Sequence, residues 1–141
     1  MSQEHCHGGK SSERIIDKAA ILSALPIRGG WHILDAGCGD GYMALEFSRQ
    51  AGDGGRVYAF DVYAPGVDSL KGRVQAGNLD IRVCDICGDL DIPDGSLDMV
   101  YLSTVYHGFS ALQRTAFVGQ VRKKLKSEGI LAIVEIVKAS T

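Results

Sequence analysis

Apolar and polar positions follow one another along this chain in an ordered series of helices and strands. Short apolar runs predict buried strands at residues 32–37, 56–63, 79–85, 96–104 and 130–137. Apolar residues at helical spacing predict helices at residues 11–25, 40–51, 65–76 and 110–126. This alternation is typical of a parallel sheet with right-handed crossovers and helices on both faces, because parallel neighbours need long connections.

Caps and turns support several of these boundaries. Ser11 or Ser12 can cap the first helix, and Ser110 can cap the last one. The sequence PDGS at residues 93–96 predicts a turn before the fourth strand, since proline, aspartate and glycine all favour turns. The sequence KSEG at residues 126–129 predicts the turn that leads into the fifth strand.

Length and charge narrow the class of protein. The chain length predicts a single domain over residues 1–141, in which residues 1–10 form a flexible N-terminus. The net charge of −2 offers no basic surface for nucleic acid, and the basic run at residues 122–126 is interpreted as a solvated helix end. No apolar run approaches the roughly 20 residues that span a bilayer. Four cysteines are too few for a disulfide scaffold, so we expect a cytoplasmic protein. From the charge and the short apolar runs we expect neither nucleic-acid nor membrane partners.

A glycine-rich loop follows the first predicted strand, at the edge where doubly wound sheets bind ligands. In the sequence DAGCGDG at residues 35–41, every second residue from 37 onward is glycine, which lets the main chain approach a ligand closely. Tyr42 takes the place of the third glycine of a dinucleotide fingerprint, and the lysine of a P-loop is absent. Asp35 and Asp40 flank the loop and repel a phosphate. The sequence therefore predicts a ligand that carries an ammonium group near this loop.

Acidic residues at the ends of the next two strands describe the rest of that ligand. Asp61 follows the glycine loop by about 20 residues, where a carboxylate accepts hydrogen bonds from ribose hydroxyls. Val62 can pack on an adenine face. Asp85 can accept from an exocyclic amine while the backbone N–H of Ile86 meets a ring nitrogen. Ammonium, ribose and adenine sites in this order describe S-adenosylmethionine.

Structural alternatives stay open for the three acids. Asp35 can cap the helix that follows it, and Asp61 can be an ordinary turn residue at a strand end. Asp85 can cap a turn within CDICGDLD at residues 84–91. All three alternatives have to hold together to remove the prediction of a cofactor.

The chain resembles the class I S-adenosylmethionine-dependent methyltransferases in the sequences ILDAGCGDGYMALEF, VYAFDVY, VCDICGDLDIPDGSLDMVYLSTVYHGF and LKSEGILAIVEI. The sequence HGGKSSERIID also resembles the start of the lid helix, here residues 11–25, in the branch that acts on small molecules and includes quinone-biosynthesis C-methyltransferases. The resemblance implies a Rossmann-like, doubly wound α/β sheet of five parallel strands in the order 3-2-1-4-5. It also implies methyl transfer from S-adenosylmethionine to a small molecule, which leaves S-adenosylhomocysteine. The expected cofactor-binding residues are Asp35, Gly37, Cys38, Gly39, Gly41, Asp61, Val62, Asp85, Ile86, Leu102 and Ser103.

Catalysis of such a displacement rests mainly on positioning, and a general base is needed only when the acceptor is protonated. His107 lies just beyond the fourth strand, where the family often carries a histidine near the transferred methyl group. We therefore name His107 as the candidate catalytic residue, with a structural loop role as the alternative. Tyr42 and Tyr106 are candidate walls of the acceptor pocket.

The cysteines allow one further hypothesis. Cys84 and Cys87 have the C-x-x-C spacing of zinc and redox sites, and they can be joined by the N-terminal residues His5, Cys6 and His7. A single C-x-x-C pair is a weak signal, and Cys84 belongs to the third predicted strand. We therefore predict no metal site.

The family's sheet usually continues past the fifth strand to seven strands, whereas this sequence stops at Thr141. The resemblance therefore lacks strands six and seven, and we expect a homodimer or a partner subunit to cover the edge of the fifth strand. Two alternatives to a self-sufficient enzyme stay open. One is a cofactor-binding subunit that needs a partner, and the other is an NAD-dependent oxidoreductase, which Tyr42 disfavours.

Overall fold

Residues 17–135 are described by the computed structural model, and they form one parallel sheet of five strands. The strands are β1 (His32–Ala36), β2 (Arg56–Asp61), β3 (Leu79–Val83), β4 (Leu97–Ser103) and β5 (Leu125–Val134). The helices within this range are α1 (Lys18–Ala24), α2 (Tyr42–Ala51), α3 (Ala64–Arg73) and α4 (Ala111–Lys124), with a short 3-10 helix at Tyr106–Gly108. The strand order β3-β2-β1-β4-β5 confirms the fold predicted from the sequence.

The strand order reverses at β1, in the centre of the sheet. Strand β1 pairs with β2 on one side and with β4 on the other. The carboxyl ends of β1 and β4 therefore lie side by side, and their connections leave toward opposite edges. In open α/β sheets this crevice is where ligands bind.

Each face of the sheet carries its own apolar cluster. On one face, side chains of α1, α2 and α3 pack against the strands, and the rings of Phe47 and Tyr101 meet edge to face at 5.1 Å between centroids. The other face is covered by α4 and by the connection from β3 to β4, which forms no helix. Ile86, Leu90 and Ile92 from that connection are buried where a helix would otherwise supply the apolar residues. Helices therefore lie on both faces, as predicted.

The helix boundaries agree with the prediction at most ends and differ at the first. The helix predicted over residues 11–25 begins at Lys18, because Asp17 is extended and its carboxylate accepts a hydrogen bond from the N–H of Ala20. The predicted caps at Ser11 and Ser12 lie outside the described residues. Ser110 caps α4 as predicted, in a capping box with Gln113. None of the helices in residues 17–135 is long and apolar enough to cross a membrane.

Strand β5 starts earlier than predicted. It follows α4 directly at Leu125, and the predicted turn at residues 126–129 is an irregular stretch inside the strand. The pairing moves from Leu97 with Leu125 to Met99 with Ile130, so extra residues are accommodated on the β5 side. The turn-forming sequence therefore makes a bulge, because the chain pairs with β4 on both sides of it.

The interpretation of residues 122–126 as a solvated run is wrong for Lys124. This residue is only 6% exposed, and its ammonium donates to the carbonyl of Ile92 at 2.7 Å and to the Asp94 carboxylate at 2.9 Å. The hydrogen bond from Lys124 holds the pKa of Asp94 below its usual range. Lys124 therefore fastens the end of α4 to the turn before β4.

Candidate functional site

Three glycines of the loop after β1 have positive φ, and at two of them a side chain would also meet neighbouring atoms. Gly37 has φ +80° and Gly41 has φ +83°, which side-chain-bearing residues rarely adopt. A Cβ on Gly41 would come within 2.6 Å of the Leu70 side chain, and one on Gly37 would come within 3.3 Å of Val105. The loop is thus pressed between α3 and the segment that follows β4.

The backbone amides of this loop are already hydrogen bonded within the protein. The N–H groups of Gly37 and Cys38 both donate to the Phe60 carbonyl, and the N–H of Gly41 donates to the Cys38 carbonyl. The N–H of Gly39 donates to the Asp61 carboxylate at 3.0 Å. A phosphate cradle needs such amides to be unoccupied. The loop therefore does not have the structure of a phosphate site, in agreement with the sequence argument.

Asp35 is the most unusual group at this edge of the sheet. It is 3% exposed, and among residues 17–135 it has no hydrogen-bond or ion-pair partner. Burial, together with the nearby carboxylates of Asp61 and Asp40, raises the pKa of its carboxyl to about 8. Helix α2 is capped at Gly41 with no side-chain bond, so the alternative of Asp35 as a helix cap is wrong. A buried carboxyl without a partner is suited to a cationic ligand.

Asp61 connects the glycine loop to the end of β2. Its Oδ2 accepts from the N–H of Gly39 at 3.0 Å, and its Oδ1 accepts from the N–H of Tyr63 at 2.9 Å. It is thus a turn residue, as the alternative supposed, yet each oxygen keeps a second lone pair that a hydroxyl can use. Val62 beside it is exposed, as a residue that packs on a ligand must be before the ligand binds.

Asp85 and Ile86 follow β3. The Oδ1 of Asp85 accepts from the N–H of Cys87 at 2.9 Å, so Asp85 does cap a turn. The side chain of Asp85 is exposed, and within residues 17–135 the backbone N–H of Ile86 makes no hydrogen bond. The side chain of Ile86 is buried in the core, which leaves only its backbone for a ligand.

The end of β4 holds two predicted residues and two that the sequence did not indicate. The Leu102 side chain is buried in the core on the α4 face, and Ser103 is half-buried. Thr104 has φ +59°, a strained conformation for a β-branched residue. Tyr101 pairs in register with Asp35, and burial raises the pKa of its phenol to about 12. Only the strand register brings Tyr101 beside Asp35, so no local pattern could have indicated it.

His107 lies in the 3-10 helix beyond β4, and its partner was not predicted. The Glu135 Oε1 is 2.7 Å from the His107 Nδ1 and accepts from the His107 backbone N–H at 3.1 Å. Glu135 is the single acid in the apolar sequence ILAIVEIV at residues 130–137. An isolated acid at the end of an apolar strand is a signal that could have been followed.

The two tyrosines proposed as pocket walls have different surroundings. The Lys18 ammonium lies 3.9 Å from the centroid of the Tyr42 ring, so Tyr42 holds the start of α1 over the glycine loop. Tyr106 packs against Phe109 and Phe117 in an aromatic cluster at the edge of the core. Tyr106 is thus largely a packing residue, while Tyr42 remains at the mouth of the crevice.

The cysteine hypothesis finds no support in residues 17–135. Cys84 and Cys87 are free thiols, and burial raises the pKa of both. No group of histidine, cysteine and acidic side chains in the described part of the chain could hold a metal. His5, Cys6 and His7 lie outside the described residues.

Comparison with known proteins identifies the family. The methyltransferase domain family matches residues 33–129. The chain belongs to the class I S-adenosylmethionine-dependent methyltransferases. The cofactor of these enzymes is S-adenosylmethionine, and the alternative of an NAD-dependent oxidoreductase is therefore set aside.

The individual relatives are longer proteins, and this chain matches only part of each of them. The ubiquinone/menaquinone biosynthesis C-methyltransferase UbiE of Pseudomonas putida is 32% identical over 117 residues, which is 79% of this chain and 44% of that protein. A methyltransferase structure from Aquifex aeolicus matches with a TM-score of 0.75 and 24% identity, over 87% of this chain and 65% of that one. A complex of the Trm112 methyltransferase activator with a methyltransferase of Haloferax volcanii matches with a TM-score of 0.74 and 19% identity, over 91% of this chain and 55% of that one. The chain thus spans less than half the length of the UbiE relative.

Proposed function

We propose that this domain binds S-adenosylmethionine across the carboxyl ends of β1, β2 and β3 and transfers its methyl group to a small-molecule acceptor. The observation that carries the proposal is Asp35, a buried carboxyl that has no partner in the described part of the chain and lies beside a glycine loop whose amides are taken up within the protein. An ammonium group is the ligand that such a carboxyl favours, because pairing returns it to its charged form. When bound, S-adenosylmethionine supplies a methyl group on a positively charged sulfur, and the product is S-adenosylhomocysteine.

The residues have separate roles in this proposal. Asp35 meets the ammonium group, and the backbone around Gly37, Cys38, Gly39 and Gly41 lies along the amino-acid part. Asp61 accepts from the ribose hydroxyls, and Val62 packs on the base. Asp85 and the N–H of Ile86 take the edge of the adenine, while the backbone of Leu102 and Ser103 closes the site toward β4. His107 stands on the acceptor side.

The small-molecule acceptor rests on the chemistry of the relatives and of the surface. UbiE methylates in the biosynthesis of quinones, which are small molecules, and it shares 32% identity with this chain. The net charge of −2 provides no electrostatic attraction for a nucleic acid. A small acceptor is therefore favoured over a nucleic acid.

Isothermal calorimetry with S-adenosylmethionine, S-adenosylhomocysteine and NAD in parallel tests the cofactor. We expect the first two to bind and NAD to give no heat. Asp61→Ala should raise the Kd for S-adenosylmethionine by about 10- to 100-fold, since the ribose hydroxyls lose a charged acceptor. Asp53→Ala is the matched control, because Asp53 is exposed in the turn between α2 and β2. Binding of NAD alone, or equal effects of the two substitutions, would overturn the proposal.

A second candidate is a cofactor-binding module whose acceptor site is completed by a partner subunit or a second copy. Strand β5 is at an edge of the sheet and exposes Leu131 and Ile133, and the Haloferax volcanii structure holds a methyltransferase with an activator. In that case the chain alone binds the cofactor without turnover, and a partner restores turnover. Light scattering of the wild type, Ile133→Lys and the control Leu112→Lys tests a homodimer through β5. A mass that is the same in all three, with turnover by the monomer, would favour the self-sufficient enzyme.

A further inference from the structure

The pair formed by His107 and Glu135 joins the ends of two neighbouring strands. Ser103 at the end of β4 pairs with Val134 at the end of β5, and Glu135 follows immediately. One oxygen, Oε1 of Glu135, meets both the backbone N–H of His107 at 3.1 Å and its ring Nδ1 at 2.7 Å. The carboxylate therefore fixes both the main chain and the ring of His107.

This contact determines which ring nitrogen carries the proton. An ionised carboxylate can only accept hydrogen bonds, so Nδ1 must be the donor and Nε2 of the neutral ring keeps its lone pair. Within residues 17–135 the Nε2 atom makes no hydrogen bond, and the His107 side chain is 68% exposed. The ring is thus held with its proton-accepting nitrogen open to a ligand.

The second oxygen of Glu135 takes no part in the link to His107. The Oε2 atom is buried and has no hydrogen-bond partner among the described residues, although the side chain as a whole is 25% exposed. Leaving a buried carboxylate oxygen unpaired costs free energy. The negative charge is of use when His107 becomes a cation, because the carboxylate then neutralises an imidazolium beside it.

The segment that carries His107 is held in place from other directions as well. The Arg114 guanidinium donates to the His107 carbonyl at 3.4 Å and lies 4.9 Å from the centroid of the Tyr106 ring. Val105 lies against Gly37, so the turn rests on the glycine loop. His107 therefore stands next to the proposed cofactor site on a supported backbone.

We propose that Glu135 is a positioning residue that holds His107 with Nδ1 protonated and Nε2 free to accept a proton. The inference rests on the proposed function, since the proton comes from the methyl acceptor. In that step the N–H bond forms at Nε2 as the acceptor's O–H or C–H bond breaks, and the electron pair stays on the acceptor atom. The Glu135 carboxylate lies beside the resulting imidazolium and offsets its charge.

Nitrogen-15 NMR of the imidazole rings tests the tautomer without any need for an acceptor. At about pH 9, well above the ordinary histidine pKa of about 6.5, we expect His107 to be mainly the Nδ1–H tautomer. Glu135→Ala should invert the ratio toward Nε2–H, the tautomer that free histidine prefers. Glu135→Gln should restore Nδ1–H, because its amide carbonyl still accepts.

His32, at the start of β1, is the internal control, and its signals should be the same in all variants. His107→Gln assigns the signals by removing them. An Nε2–H tautomer in the wild type, or a ratio that Glu135→Ala leaves unchanged, overturns the proposal. If Glu135→Ala does not fold, the wild-type spectrum decides the question by itself. Calorimetry with S-adenosylmethionine on Glu135→Ala separates the two proposals, because lost positioning leaves cofactor binding intact.

Discussion

The two halves of the crevice are built in different ways. They are named after the roles proposed above. The cofactor half, the carboxyl ends of β1, β2 and β3, is held by backbone amides that donate to Asp61, both from the nearby Tyr63 and from Gly39, 22 residues away in sequence. The acceptor half, residues 103–108 with Glu135, depends on a pair 28 residues apart in sequence and on a strained threonine. The proposed cofactor half is thus a main-chain loop of fixed shape, whereas the proposed acceptor half presents a histidine ring whose position depends on one carboxylate.

The largest effect expected in the cofactor half is the pH dependence of stability that Asp35 causes. The pKa of Asp35 is about 8 in the folded protein against an ordinary 3.8, so the folded state keeps a proton that the unfolded chain releases. The contribution of Asp35 to the free energy of unfolding should therefore be highest below about pH 4, fall as pH rises to about 8 and then level off, with a total loss on the order of 5 kcal/mol. Asp35→Asn should remove this slope. Urea unfolding of both proteins across that pH range measures the difference, and parallel curves would contradict it.

The same carboxyl links binding to protons. At pH 7 it is mostly protonated in the free protein, and a cationic ligand should release close to one proton as it binds. Calorimetry with S-adenosylmethionine in two buffers of different ionisation enthalpy measures that proton. Binding with no proton exchange would place the ammonium group elsewhere.

Gly41→Ala should destabilise the protein by forcing the backbone of the glycine loop out of its conformation. The residue has φ +83°, and a Cβ would meet Leu70 at 2.6 Å, so we expect a loss of about 3 kcal/mol in the free energy of unfolding. Gly72→Ala in α3 is the matched control, because its Cβ meets nothing within 4 Å. That control should stabilise the protein by about 0.5–1 kcal/mol. Equal effects at both glycines would show that the loop is not constrained.

Thr104→Asn should have the smallest effect, and it tests the acceptor half. Asparagine tolerates φ +59° better than a β-branched residue does, so we expect a gain of about 0.5–1 kcal/mol in the free energy of unfolding. The position of Thr104 beside the proposed acceptor site leads us to expect lower turnover together with that gain. Chemical unfolding and an acceptor assay on the same preparations measure the two quantities. A variant that is less stable would show that Thr104 is not strained.

Most of the fold could be predicted from the sequence because the signals are local. The apolar runs predicted every strand, and the cap at Ser110 predicted the start of α4. The start of β5 could not be predicted, since the turn-forming residues 126–129 are kept in the strand by pairing with β4. The burial of Lys124 depends on the carbonyl of Ile92, 32 residues away in sequence.

In the candidate site too, the sequence indicated the residues of local motifs but not the contacts that folding creates. The glycines and the acids at strand ends could be named because the motif and its spacing lie within short segments. Glu135 was missed because its partner lies on another strand, and the isolation of Asp35 was missed because burial is a property of the folded chain. Sequence spacing can name a ligand-binding residue, but it does not show what else that residue touches.

The occupied amides of the glycine loop have a consequence for how a ligand is received. Because Phe60 and Asp61 already hold Gly37, Cys38 and Gly39, the loop has its final shape before any ligand arrives. Little conformational entropy is then lost there on association, and affinity at this end comes from preorganisation.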